Sequence, residues 1–338
     1  MNNNSKRRRN INRMGIASCS QDAGEEPLNV MEDIVFKAML TSDTDDSREA
    51  LRSLLSACTR REVSAVRVIN NDLVPPHREA KTPRLDVHVT FNDGEIAALE
   101  MQISKTDDDL KSRSELYAAM LLSGQSRKGR KYKEIKRVYQ IFFLNCIIFP
   151  DNDKMSQRFS YREEIKHYRL SDTSEIIYYE LPKLEKRVLA IIDGMGGVKA
   201  SGKMKLDALS EEEKWCIFMK YRHEEHAAEL VEKLYREEEG IMLAEKAVEG
   251  IDRDYLRFAR KLAETKNRWE REQRLFKADE EGHARGMAAG LAQGISQGIS
   301  QGISQGKLEI ALKMKAADRP LAEIAEFTGL SLEVIEQM

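Results

Sequence analysis

Asp86, Glu100 and Gln102 are the residues whose types and spacing offer chemistry. Leu85, Val87, Val89 and Phe91 alternate with Asp86, His88 and Thr90, the period of two that marks a strand. Asn92-Asp93-Gly94 supplies a tight-turn signal, and residues 95–103 read as a second strand folding back on the first. Glu100 and Gln102, two apart, share one face of that strand, with Leu99, Met101 and Ile103 on the core-facing side. Aspartate is a poor strand residue and tolerates partial burial only when it is paired or binds a cation. The hairpin can set Asp86 beside Glu100, where two carboxylates raise each other's pKa until a cation intervenes. Hard oxygen donors of this kind suit magnesium or manganese. A plainer reading is a half-solvated hairpin whose polar face meets water, and the hairpin alone leaves both open.

Those strands need elements to hold them. From Leu28 the pattern is helical, with Val30, Ile34, Phe36, Met39 and Leu40 apolar. A polar loop at residues 41–47 leads to a second helix over 48–58, and the valine-rich stretch 63–69 predicts a first strand. Pro75 and Pro76 break the chain. Residues 107–125 predict a helix carrying Leu110, Ser114, Tyr117, Leu121 and Leu122 at helical spacing. The apolar run 138–148 predicts a central buried strand, and 159–170 with 175–181 a further hairpin closed by Pro182. This order gives a mixed α/β sheet domain over residues 28–184, behind a basic leader (1–27) read as disordered. Glycines between 194 and 202 predict a linker over 185–202. An all-helical C-terminal arm is expected beyond it: a helical region (203–281), a Gly-xxx-Gly segment (282–306) and a small helical cap (307–338). Glu211, Glu212 and Glu213 sit in the first turn of the helix opening near Ser210, where the helix dipole favours acids.

Bulk composition narrows the function class. The chain has 338 residues, 41% of them hydrophobic, enough for one good core and a second, smaller unit. Its net charge of −2 gives no global attraction to nucleic acid, so any such contact has to come from a local patch. Cys19, Cys58, Cys146 and Cys216 show neither a CxxC pair nor a histidine at zinc spacing, which argues against a structural zinc site or a disulfide framework. Reduced thiols fit a cytoplasmic protein. No apolar run approaches the roughly 20 residues that span a bilayer, so no membrane association is expected. The six histidines have no evident nucleophile partner. The basic cluster at residues 6–9 lacks the apolar stretch of a signal peptide.

The segments Arg84-Leu85-Asp86 and Glu100-Met101-Gln102, then Arg113, Tyr117 and Gln125, resemble the Rpn family. These are recombination-promoting nucleases or putative transposases of the PD-(D/E)XK superfamily. Asp33-Ile34-Val35-Phe36-Lys37 is similar to that family's first helix, and Glu180-Leu181-Pro182-Lys183-Leu184 to its closing segment. The resemblance covers about residues 28–184 and extends to the glycine-repeat tail. It implies a restriction-endonuclease-like αβββαβ core and Mg2+- or Mn2+-dependent hydrolysis of DNA. Asp86 and Glu100 would be the metal ligands, helped by a backbone carbonyl near Met101. The third motif position, usually lysine, is Gln102, which can hydrogen-bond the attacking water but brings no charge to the phosphate. Asp33 offers a further carboxylate, or is an exposed helix-start acid. Arg113 and Tyr117, four apart on one helix face, reach the scissile phosphate or line the core edge, and Gln125 follows them as a DNA contact.

Two further patterns bear on partners. Between residues 127 and 137, seven of eleven are basic: Arg127, Lys128, Arg130, Lys131, Lys133, Lys136 and Arg137. Such density suits phosphate contacts that are sequence-independent and salt-sensitive, and a solvated loop is the bland alternative. Gly282, Gly286, Gly290, Gly294, Gly298, Gly302 and Gly306 recur every four residues, with Ile295, Ile299 and Ile303 at the same period. Each interior glycine costs a helix about 1 kcal/mol against alanine, so the segment either packs closely on another helix or is a tether. A four-residue step drifts roughly 40° around an α-helix, which favours a wrapped crossing with a second copy and hence a homodimer. The final helices resemble the start of a helix-turn-helix but carry acids where a DNA reader carries arginines, so a helical cap is expected. Against the nuclease reading stands a nuclease-fold protein without useful catalysis that binds DNA or a partner and dimerises through its arm.

Overall fold

Six strands, β1 (Val66–Val68), β2 (Val87–Phe91), β3 (Glu95–Gln102), β4 (Val138–Leu144), β5 (Ser156–Phe159) and β6 (Ser174–Glu180), form one mixed sheet in the order β1-β2-β3-β4-β6-β5. The computed structural model describes residues 27–69, 84–103, 109–129, 131–196 and 206–338. β2 and β3 are antiparallel, joined by a turn in which Asn92 and Gly94 both take positive φ. β3, β4 and β6 run parallel, and β5 returns antiparallel on β6. β4 is buried along its whole length, as its unbroken apolar pattern predicts.

The sheet has a thick side and a thin side. On the thick side Val87, Val89, Leu99, Tyr139, Phe143 and Tyr179 share one core with α1 (Asp33–Thr41) and α2 (Asp45–Thr59). Thr44 caps α2, its Oγ1 accepting from the Ser47 N–H at 3.1 Å. On the thin side α3 (Leu110–Ser123) is the one helix among the described residues. Its Leu110 packs with Phe142, Leu144 and Tyr178, and its Leu121 with Ala98 and Val138. α3 therefore runs antiparallel to β3 and β4, with its first turn over their C-terminal ends.

The stretch beyond the linker is helical as the sequence pattern predicts, but its first helices pack on the sheet's core. Within residues 185–202, expected as a linker, 185–196 form α4 (Glu185–Gly196) with Val188 buried, and 197–202 lie outside the described residues. α5 (Glu211–Tyr221), α6 (Ala228–Glu237) and α7 (Glu239–Glu249) belong to the sheet's own core, through Trp215, Phe218, Leu230, Ile241 and Val248. Their dense surface charge imitates a free arm. Yet Trp215, Cys216, Ile217, Phe218 and Met219 are all buried, which a solvated helix does not permit. The N-terminus of α5 carries a capping box between Ser210 and Glu213. Gly240 permits the approach of α7 to α2, since a Cβ there would sit 2.0 Å from Ser53 Oγ. The expected leader over 1–26 lies outside the described residues. Ile103, read as core-facing, is 45% exposed because it lies past the end of β3.

The chain divides into Met1–Ala259 and Arg260–Met338. The boundary falls within α8 (Arg253–Ala316), which contains the whole glycine ladder. At each of its seven glycines an added Cβ would meet nothing within 4 Å. α9 (Leu321–Thr328) and α10 (Leu332–Gln337) close a small core of Ala311, Ile324 and Ile335. Gly329, at φ +68, ends α9. Among the described residues no helix is long and apolar enough to cross a membrane.

Candidate active site

Asp86 lies in a bend just before β2, one residue past the Val87–Leu99 pair that ends the β2–β3 ladder, and its backbone reaches Glu100 there. The two residues are laced together. The Met101 N–H donates to Asp86 Oδ2 at 2.9 Å, and the Asp86 N–H points to Glu100 Oε1 at 3.4 Å. Glu100 is only 7% exposed. Burial, the Glu100 charge and Asp33 push the Asp86 carboxyl well above the ordinary carboxylate range. Burial raises Glu100 as well, while the Arg113 guanidinium pulls it back down. Asp33, exposed in the first turn of α1, hydrogen-bonds the Asp86 side chain and disfavours charge on both carboxyls.

The first turns of α3 bring the cation. Arg113 Nη2 lies 3.4 Å from Gln102 Oε1, and its guanidinium stands 6.0 Å from the centre of the Tyr117 ring. Arg113, Gln102 and Tyr117 thus meet at the carboxylate end of β3. The sequence left the third motif position without a charge; the structure sets Arg113 beside it. Behind this group, Phe142 stacks on Tyr178 with ring centres 5.2 Å apart, and the Tyr178 and Ser114 hydroxyls hydrogen-bond. Gln140 escaped the sequence reading. It faces the same side as Glu100, opposite Ala98, fully buried with neither amide atom hydrogen-bonded. Its only signal was an amide inside an apolar strand.

The basic run lies at the other end of the sheet. It leads from the C-terminus of α3 into the start of β4, where the Ile96 N–H donates to the Arg137 carbonyl at 2.9 Å. Gln125 braces it: its side-chain nitrogen donates to the Lys136 carbonyl (2.9 Å), and its oxygen accepts from the Lys136 N–H (2.8 Å). Arg127, Lys128 and Lys131 are exposed, and Arg130 lies outside the described residues. Arg137 pairs with Asp172 at 3.1 Å.

Among the described residues no three His, Cys, Asp or Glu side chains converge closely enough to make an ion site by themselves. Magnesium does not need three, because it keeps several waters and takes one or two carboxylates together with substrate phosphates. A buried Glu100 and a half-buried Asp86, whose charge is disfavoured until a cation arrives, fit that ion. Among the described residues Cys58, Cys146 and Cys216 form no disulfide, and burial pushes Cys58 up to about 12, far from a thiolate nucleophile.

A family model for the PD-(D/E)XK nuclease family transposases matches residues 30–278. No curated protein and no solved structure matches the chain. The six-stranded mixed sheet and the segment matched, which runs through α7 into α8, agree: the chain belongs to the PD-(D/E)XK nuclease family transposases.

Proposed function

We propose that this chain is a metal-dependent DNA endonuclease that hydrolyses phosphodiester bonds in recombination or the movement of mobile elements. The observation that carries the reading is the mutually bonded pair Asp86 and Glu100, with Arg113 as the cation beside it. Asp86 and Glu100 would hold Mg2+ or Mn2+, with Asp33 as a further carboxylate; when bound, the ion lowers the pKa of a water and neutralises phosphate charge. Gln102 orients the attacking water through its amide. Arg113 offsets negative charge developing on the phosphate, the task usually given to the motif lysine. Tyr117 steadies the Arg113 side chain. The basic loop, with Arg127, Lys128, Arg130 and Lys131, holds the DNA backbone. Purified protein incubated with plasmid should cut it in magnesium and stop in chelator, and Asp86→Ala and Glu100→Ala should abolish cutting while the circular-dichroism spectrum stays native. Full cleavage by Asp86→Ala would sink the assignment.

A specific observation also favours a second reading. Gln102 in place of lysine fits a nuclease-fold protein that binds DNA or a partner with little turnover; binding without cleavage in the plasmid assay would select it.

The chain pairs with a second copy through α8. Met287, Leu291, Ile295, Ile299 and Ile303 form a four-residue-period row, each more than half exposed at 55–68%. A row of large apolar side chains beside open glycines is self-complementary, and a second copy buries both. A monomeric mass at micromolar concentration would exclude the dimer.

A further inference from the structure

The carboxylate site and the basic loop sit at opposite ends of the same two elements, and that separation sets a length on the DNA. From Ile96, bonded to Arg137, to Glu100 is four residues of β3, about 13 Å at 3.3 Å per residue. From Arg113 to the end of α3 at Ser123 is ten residues, about 15 Å at 1.5 Å per residue. The loop extends beyond both marks, giving a span of about 15–20 Å. Successive phosphates on one strand of B-DNA advance about 3.4 Å along the axis, so this span corresponds to roughly four to six base pairs.

The loop is prepared for such a contact. Arg127, Lys128, Lys131, Lys133 and Lys136 are exposed, and among the described residues none of them pairs with a carboxylate. Glu134 is the one acid between residues 127 and 137. The two hydrogen bonds from Gln125 to the Lys136 backbone close the loop at its base, and Gly129 turns it at φ +88. The cations are therefore displayed on a braced loop, which lowers the ordering cost of binding. Between site and loop the exposed face of α3 presents Ser112, Leu116, Ala119 and Ser123, with Glu115 as its one acid. Among the described residues of α3 no acidic wall separates the two ends.

We propose that the duplex lies along α3 and that the basic loop grips its backbone four to six base pairs from the bond being cut, on one side of it only. The register rests on the nuclease reading above, because it is counted from the scissile phosphate. The test uses a duplex whose linkages are all phosphorothioate except one natural phosphodiester, which fixes the cut while keeping the charge. A pair of neutral methylphosphonates is then walked outward from that bond in each direction, and kcat/KM for cutting it is measured in magnesium, with the salt slope of binding measured in chelator. With the wild-type chain, kcat/KM should fall roughly 60-fold at 0.1 M salt when the neutral pair lies four to six base pairs out, two contacts being lost. With Arg127, Lys128, Lys131 and Lys133 all changed to Gln, that position-specific drop should vanish, and the salt slope should shrink by about 3.6. The same drop in the variant, a peak beyond ten base pairs, or no peak at all would overturn the register. If the wild-type chain leaves the natural linkage uncut in magnesium, the nuclease reading falls and the register with it. A salt slope still smaller in the variant would then show that the loop binds DNA without a nuclease to serve.

Discussion

Asp86→Asn is expected to stabilise the metal-free protein and to abolish its stabilisation by magnesium. The Asp86 N–H lies 3.4 Å from Glu100 Oε1, so the charge separation is about 5 Å. Two unit charges at about 5 Å in an effective dielectric of about 20 repel by about 3 kcal/mol. Arg113 already offsets part of the Glu100 charge, so about 1–3 kcal/mol is the repulsion the substitution relieves. Asparagine keeps an oxygen for the Met101 N–H, which removes the charge without removing the bond. For a unit of this size each kcal/mol moves the melting temperature by about 2–4 °C, so a rise of roughly 2–12 °C is expected in chelator at about pH 8.

The pH dependence follows from the direction of the shifts. Carboxyls whose folded pKa is raised lend stability that is complete below their unfolded pKa and lost as pH climbs through the folded one. The advantage of Asp86→Asn should therefore vanish below about pH 4 and grow toward about pH 8. Magnesium reverses the ranking, because an ion at 100 times its Kd stabilises only the chain that binds it, by about 2.7 kcal/mol. Thermal unfolding followed by circular dichroism, across pH and with or without magnesium, reads all of this. If Asp86→Asn melts below wild type at about pH 8 in chelator, or magnesium raises both proteins equally, the electrostatic account is wrong.

The remaining predictions concern the cation, the arm and the core. Arg113→Ala should lower kcat of plasmid cleavage by about 10²–10³, the loss found when one preorganised charge donor is removed, and Gln102→Lys in that background should recover part of it. No recovery would mean that Arg113 does not stand in for the motif lysine. Ile295→Asp with Ile299→Asp should convert the dimer to a monomer in light scattering while leaving the melting of the sheet-bearing unit unchanged; an unaltered mass would place the interface elsewhere. Arg158→Met should cost about 3–5 kcal/mol, since Arg158 ties together the buried carboxylates of Glu175 (2.9 Å) and Glu212 (2.7 Å), and a loss below about 1 kcal/mol in denaturant unfolding would show those acids to be otherwise compensated.

Elements with strong local periodicity were legible in the sequence; packing decided the rest. The β2–β3 hairpin is written in alternation and an Asn-Asp-Gly turn, and β4 in an unbroken apolar run, so both appear where expected. β5 is shorter and earlier than the 159–170 stretch read as a strand. Residues 160–173 instead form an excursion held by the Arg162–Arg169 bridge and the Leu170 N–H donating to the Tyr161 carbonyl. That α5 to α7 join the sheet's core was hidden for a different reason. Charge density describes what a helix shows to water and says nothing about what lies beneath, and Trp215 with Phe218 on its buried face was the contrary signal.

The site shows the same division more sharply. Asp86 and Glu100 could be singled out because a two-residue period and a tight turn bring the ends of two strands together with no knowledge of the rest of the fold. Arg113 could be singled out as a residue but not as a charge for Gln102. Eleven positions separate them in sequence, through a segment partly outside the described residues, and only the docking of α3 on the open face of the sheet brings guanidinium to amide. The basic run follows α3 directly in sequence, and a helix antiparallel to its strands carries whatever follows it to the far end of the sheet. A parallel β–α–β unit imposes that displacement on any loop entering the second strand. On the proposed register the distance between the carboxylate pair and the basic loop is set by the length of α3, and lengthening that helix by one turn should move the grip outward by between one and two base pairs, about 5.4 Å against 3.4 Å per step.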